Sequence, residues 1–171
     1  FAPYGQVVGQ GCVYPSSVDT VANQLEVNGL TWHGYMESMP APCSHPALNT
    51  VDNTQKATPT SEYATRHNPF VYFHDSTGTN NAQDPYCIAH NRPFTELAGD
   101  LTNDTVTRYN FITPNLCNDM HDTCAPISDA IKQGDTWLAG LVPLILASPS
   151  YRAGGALFIT SSGFAGGTTV S

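Results

Sequence analysis

The sequence predicts one α/β domain built on a mainly parallel sheet. Helical and strand-like stretches alternate along the chain, the order that a parallel sheet with crossover helices requires. The run Ala156-Leu157-Phe158-Ile159-Thr160 is apolar almost throughout, as strands buried on both faces are. A length of 171 residues suits a single domain with a full two- or three-layer core.

The elements follow in order. After Ser16-Ser17, the residues Val18, Val21, Ala22 and Leu25 recur at helical spacing and Gly29 follows as a stop, so 17–28 reads as an amphipathic helix. Leu30 to Met36 reads as a strand. Pro40, Pro42, Pro46 and Pro59 punctuate residues 37–60, a loop too long to be a mere connection. Phe70-Val71-Tyr72-Phe73 is short and aromatic, either a strand or a buried plug. Thr95 is placed to cap a helix over 96–101, and Val106 to Thr113 forms the next strand. Asp135 reads as the N-cap of a helix that begins Thr136-Trp137-Leu138, with Pro143 kinking or restarting it. The apolar run from Ala156 closes the series as a strand.

Charged residues make up 12% of the chain and the net charge is −8. The basic residues Lys56, Arg66, Arg92, Arg108, Lys132 and Arg152 are dispersed rather than gathered into a stripe. Nucleic-acid binders need a concentrated basic footprint, so that class is disfavoured. No run is long enough to cross a membrane. The scarcity of charge, with many Ser, Thr, Asn and Gly, points to a secreted or cell-surface protein. Cys12, Cys43, Cys87, Cys117 and Cys124 show no metal-binding spacing and point instead to disulfides in an oxidising compartment. A bridge between Cys117 and Cys124 would clamp the loop between them, and one between Cys43 and Cys87 would close the long middle loop. Spacing alone leaves the pairing open, with Cys12 as the leftover thiol. Asn103-Asp104-Thr105 is an N-glycosylation sequon. The chain starts at Phe1 without an initiator methionine, which reads as processing or truncation.

The richest stretch runs from Asn110 to Asp122. An apolar strand ends at Pro114, and the chain opens into a loop holding Asn118, Asp119, His121 and Asp122. Polar loops at strand ends are where open α/β sheets keep their ligand sites. A carboxylate beside a histidine fixes the imidazole tautomer, and the imidazole then donates a proton to a departing oxygen or ligates a metal. The plainer alternative makes Asp119 or Asp122 a cap and His121 a solvated loop residue. His67 after Arg66, His90 after Cys87, and His121 lie in three polar loops that could converge at one sheet edge. Arg66 or Arg92 could hold a phosphate by paired hydrogen bonds, or simply pair with surface acids. No P-loop, dinucleotide fingerprint, Gly-x-Ser-x-Gly elbow or His-Glu-x-x-His helix is present.

Several segments together resemble the secreted phosphoesterases that include acid phosphatases and non-haemolytic phospholipases C. They are Gly11-Cys12-Val13-Tyr14-Pro15, Trp32-His33-Gly34-Tyr35-Met36-Glu37, Arg66-His67-Asn68-Pro69-Phe70-Val71-Tyr72-Phe73, Asn110 through Asp122, Gly134-Asp135-Thr136-Trp137-Leu138 and Gly155-Ala156-Leu157-Phe158-Ile159-Thr160. The resemblance implies a three-layer α/β/α fold of the alkaline-phosphatase-like kind and hydrolysis of phosphate esters beside a divalent metal ion. It makes Asn118, Asp119, His121 and His67 the candidate catalytic residues, with Asn68 and Arg66 at the substrate. His121 would contact the phosphate or protonate the leaving oxygen.

The sequence also departs from that family. The family's Glu-Asn metal pair and its nucleophile lie on and just after an N-terminal strand, which would fall before Phe1. Its Trp-Asp-Glu after the last strand is replaced by Thr160-Ser161-Ser162-Gly163. Hard cations want anionic oxygens, so the metal ligands are not identifiable here. On this resemblance the sheet lacks its first strand, a gap that a companion chain or a second copy would have to cover. The leading expectation is therefore an extracellular phosphoesterase polypeptide of acid-phosphatase type, incomplete as it stands. The alternatives are an inactive, self-assembling structural module of the same fold, and a small-ligand or carbohydrate binder using Trp32, Tyr35 and Tyr72.

Overall fold

The computed structural model describes residues 13–47, 56–73, 77 and 81–161. Cys12 and the Ser162-Gly163 pair, both named above, lie outside them.

The chain builds a mixed α/β fold on a parallel sheet of three strands among the described residues. Strand β1 (Trp32–Met36) is central, with β2 (Asn91–Pro93) on one side and β3 (Tyr109–Thr113) on the other. Helix α1 (Val21–Val27) precedes β1, and its first turn is closed by a reciprocal capping box between Thr20 and Asn23. Helix α2 (Pro85–His90), capped by Asp84, leads directly into β2. A 3-10 turn, Phe94–Glu96, leads into α3 (Leu97–Asn103), which ends at left-handed Asp104. Helix α4 (Ala130–Ala147) and the short α5 (Pro149–Arg152) complete the described elements.

Alternation along β1 supplies two cores on opposite faces of the sheet. Trp32 and Met36 pack with Ala22, Met39 and Phe70 on one face, while Tyr35 packs with Leu97, Leu101 and Leu141 on the other. Gly34 lies between Trp32 and Met36, and Phe70 presses onto it. A Cβ there would come within 2.8 Å of the Phe70 ring. The missing side chain therefore seats the aromatic segment that the sequence left as either strand or plug. That segment is a plug: a 3-10 turn, Pro69–Tyr72, with Phe70 and Val71 buried. Phe73, just beyond, makes a parallel bridge to Tyr14.

Several sequence expectations are corrected. The first helix starts at Val21 rather than residue 17, because Thr20 is the residue whose hydroxyl reaches the orphan amide of Asn23. No side chain caps the helix near Thr95, since the 3-10 turn itself supplies the preceding carbonyls. Helix α4 begins at Ala130, where Asp129 accepts from the Lys132 amide, so Asp135 is an interior exposed residue. The helix passes through Pro143 without restarting. Ala139 and Pro143 lie on its exposed side, where water can serve a carbonyl that loses its donor. The 85–93 region, read as a polar loop, forms α2 and β2. Finally, 156–160 is not a strand: it pairs with none of the described strands, and Phe158 is 86% exposed. Apolar character favours a strand only where a neighbour offers a ladder for its backbone groups.

Candidate active site

The polar loop begins where β1 and β3 end together. Met36 is in register with Thr113, and the Glu37 amide donates to the Thr113 carbonyl at 2.9 Å. This is the carboxyl end of the sheet, where parallel α/β folds leave a crevice. Asn115, buried, turns the chain: its Oδ1 accepts from the Cys117 and Asn118 amides at 3.1 and 2.9 Å. Its Nδ2 donates to Glu62 Oε2 at 2.7 Å and to Ser38 Oγ at 3.0 Å. Leu116 drives into the core, and Met120 takes a left-handed conformation with φ of +69°. The Cys117–Cys124 disulfide brackets the loop with Cα atoms 5.7 Å apart. Cys43–Cys87 is the second bridge, so both pairings considered from the sequence are formed.

Within this frame two imidazoles are each held by a carboxylate. His67 Nδ1 lies 3.0 Å from Asp119 Oδ2, and His121 Nδ1 lies 3.0 Å from Asp122 Oδ1. The rings are 6.2 Å apart between centroids, at 62°. Ionised carboxylates only accept, so each Nδ1 carries the proton and each Nε2 is the remaining nitrogen. Asp119 is further fixed by the His121 amide, which donates to its Oδ1 at 2.8 Å. Burial pushes the Asp122 carboxyl up, but the Ala57 amide, His121 and Lys56 together outweigh it and the net shift is downward from 3.8. Asp122 thus stays ionised, and holds His121, in acid.

His67 stands at the end of a 3-10 turn, Thr65–His67, beside half-buried Arg66. The Thr113 hydroxyl donates to the His67 carbonyl at 3.4 Å, tying this turn to β3. Asn68 is fully buried. Its Oδ1 accepts from the Phe70 amide and its Nδ2 donates to the Tyr63 hydroxyl, so its polar atoms secure the turn from within.

Glu37, one residue beyond β1, closes the Trp32–Glu37 segment quoted above but is given no role there. Its carboxylate accepts from the Asn115 amide at 2.8 Å and from Asn118 Nδ2 at 2.9 and 3.0 Å. The Trp137 indole of α4 donates to it at 3.0 Å. A lone acid after an apolar strand carries no local pattern; only its place beside the loop motif could have drawn notice. Gly134 brings α4 close: a Cβ there would lie 2.5 Å from Met120 Cε and 3.1 Å from the Asn118 carbonyl.

The remaining candidates lie elsewhere. His90 does not converge with His67 and His121; it stacks on Trp32 at 4.6 Å and its Nδ1 donates to the Tyr86 carbonyl at 2.8 Å. Arg92 is held by Glu96 through two hydrogen bonds, so it is not the phosphate anchor considered above. Asn103 is exposed at the last turn of α3. Trp32 and Tyr35 are completely buried, which removes the aromatic platform that a carbohydrate-binding role needs. His33 contacts the Tyr35 hydroxyl at 3.1 Å, and that hydroxyl donates to Asp100 at 2.6 Å. Burial first, then the Asp100 hydrogen bond, push the Tyr35 phenol far above its usual value, so it remains a donor. Among the described residues no helix is long and apolar enough to cross a membrane.

The donor set does not suit a divalent cation. Asp119, Asp122 and Glu37 are already engaged by N–H donors, and no cluster of three His, Cys, Asp or Glu side chains among the described residues could hold a metal.

The model of the Phosphoesterase family matches residues 6–161. An acid phosphatase of Aspergillus fumigatus is 31% identical over 128 residues, which cover 75% of this chain and 26% of that protein. A probable acid phosphatase of Kluyveromyces lactis is 30% identical over 128 residues, covering 75% of the chain and 28% of the relative. A phosphate-repressible acid phosphatase of Penicillium chrysogenum is 33% identical over 109 residues, covering 64% and 24%. The chain therefore spans about a quarter of the length of these relatives. No solved structure matches it.

Proposed function

Because the chain belongs to the Phosphoesterase family, we propose that it forms the phosphate-recognising part of an extracellular enzyme of acid-phosphatase type that hydrolyses phosphate esters. The observation that supports this most is the pair of carboxylate-held imidazoles, His67–Asp119 and His121–Asp122. With both Nδ1 atoms occupied, the Nε2 atoms are left for one anion. In its protonated form His67 donates Nε2–H to a non-bridging phosphoryl oxygen, a charge-assisted bond. In its doubly protonated form His121 likewise donates the Nε2 proton to the ester oxygen as the P–O bond breaks, so the alcohol leaves neutral. Asp119 and Asp122 hold the rings for those transfers. Arg66 adds positive charge beside His67, and Asn68 serves the site through the turn that it secures. Water supplies the oxygen that replaces the alcohol at phosphorus, and no step here runs through a metal.

The fold reading extends in the same direction. Two cores on opposite faces of a parallel sheet support a three-layer α/β/α arrangement of the alkaline-phosphatase-like kind. The two disulfides are consistent with secretion.

The test is hydrolysis of p-nitrophenyl phosphate by the protein and by His121→Ala and His67→Ala. Removing His121 is expected to lower turnover on the order of a hundredfold or more. Undiminished turnover by His121→Ala sinks the assignment of roles. A second reading, an inactive self-associating module, is favoured by the exposure of Phe158 (86%) and Ile159 (61%). Absence of turnover together with stable oligomers in light scattering selects it.

A further inference from the structure

We propose that Glu37 is a positioning residue that turns the Asn118 side chain so that its oxygen, not its nitrogen, meets the ligand, and that the site thereby selects singly protonated phosphate monoesters. The inference rests on the phosphoesterase reading above and deepens it by naming the substrate form.

The argument begins with hydrogen-bond polarity. Glu37 bonds Asn118 Nδ2 through both carboxylate oxygens, at 2.9 and 3.0 Å. Ionised carboxylates have no proton to give, so the amide cannot be reversed without setting oxygen against oxygen. The Trp137 indole and the Asn115 amide converge on the same carboxylate and hold it from α4 and from the loop. Asn118 is therefore left with Oδ1 as its presented atom, and among the described residues that oxygen accepts no hydrogen bond.

An acceptor repels the unprotonated oxygens of a phosphate and attracts only a P–OH group. The second ionisation of a phosphate monoester falls near pH ~6. Below that value the ester is a monoanion with one P–OH donor. His67 then serves a bare oxygen, His121 stands at the ester oxygen, and Asn118 Oδ1 accepts a hydrogen bond from the P–OH group. A phosphate diester monoanion has no such proton and leaves Oδ1 unmatched. Sites with a built hydrogen-bond partner discriminate strongly against analogues that lack the complementary group.

Phenyl phosphate and phenyl sulfate separate this idea from simple anion attraction. Below about pH 6 both are monoanions of closely similar shape, and only the phosphate carries the O–H. Calorimetric titration of the protein in acid is expected to show phenyl phosphate bound about tenfold more tightly than phenyl sulfate, the scale of one hydrogen bond to a polar partner. In Glu37→Gln, which puts a competing amide against Asn118, and in Asn118→Ala, the preference falls to within about twofold. Asn118→Ala keeps the test open should Glu37→Gln fail to fold, as checked by melting. Equal affinities for the two ligands in the unaltered protein overturn the inference, as does a preference that survives in both variants. Binding of neither ligand overturns the phosphoesterase reading itself.

Discussion

At the scale of single residues, the loop from Asn118 to Asp122 owes its chemistry to which atoms are already committed. Asp122 is the clearest case. Its folded-state carboxyl ionises below the ordinary value of 3.8, so its stabilising contribution is complete above that value and is lost as pH falls through the lowered one. Asp122→Asn removes this contribution. Melting curves taken down through that range should show the variant less stable than the unaltered protein in mild acid, with the gap closing as the acid strengthens. A gap that widens instead would refute the assignment. Asp119 and His121 were legible in the sequence because two acids flanking an imidazole are not needed for a turn. Glu37 and the burial of Asn68 were not. One is an isolated acid, and the other precedes a proline as any turn residue does, so only contacts distant in sequence reveal what they hold.

At the scale of elements, two glycines set the distance between site and scaffold. Gly34 in β1 admits the Phe70 ring and with it the turn that carries His67. Gly134 in α4 admits Met120 and the Asn118 carbonyl. Gly34→Ala forces a Cβ to within 3 Å of the Phe70 ring and should cost about 1–3 kcal/mol of stability by overpacking, measured by denaturant unfolding. At Gly134 the nearest atoms belong to the flexible Met120 side chain, so the cost is smaller. Gly34→Ala should also weaken ligand binding through His67, whereas Gly134→Ala should do so through Asn118; loss of stability without loss of binding would disprove the link to the site. The strands β1 and β3 were readable because each has an apolar stretch of the right length. The pair α2 and β2 was not, since a six-residue helix and a three-residue strand are too short to show a period. The 156–160 run failed as a strand for the opposite reason: its local signal is strong, but no described strand takes its ladder.

At the scale of the whole molecule, acid acts on both ends of the sheet, and with different outcomes. His33 lies away from the loop, and burial, then the nearby His90, lower its pKa from 6.5 against the opposing pull of Asp100. Its unfolded form takes up a proton first, so stability declines as pH falls from 6.5 toward the lowered value. His33→Gln should flatten that decline in thermal melts; an unchanged slope would show that other groups govern it. The candidate loop keeps its Asp122 anchor through the same interval.

The bridge between Cys117 and Cys124 has a further bearing on where the protein can act. It closes a short loop and should contribute about 2–3 kcal/mol to the folded state, chiefly by restricting the unfolded chain. In a thiol-rich compartment that link would stay open, and the loop would rest on its hydrogen bonds alone. A melting temperature unchanged by dithiothreitol would show that the bridge adds nothing to the fold.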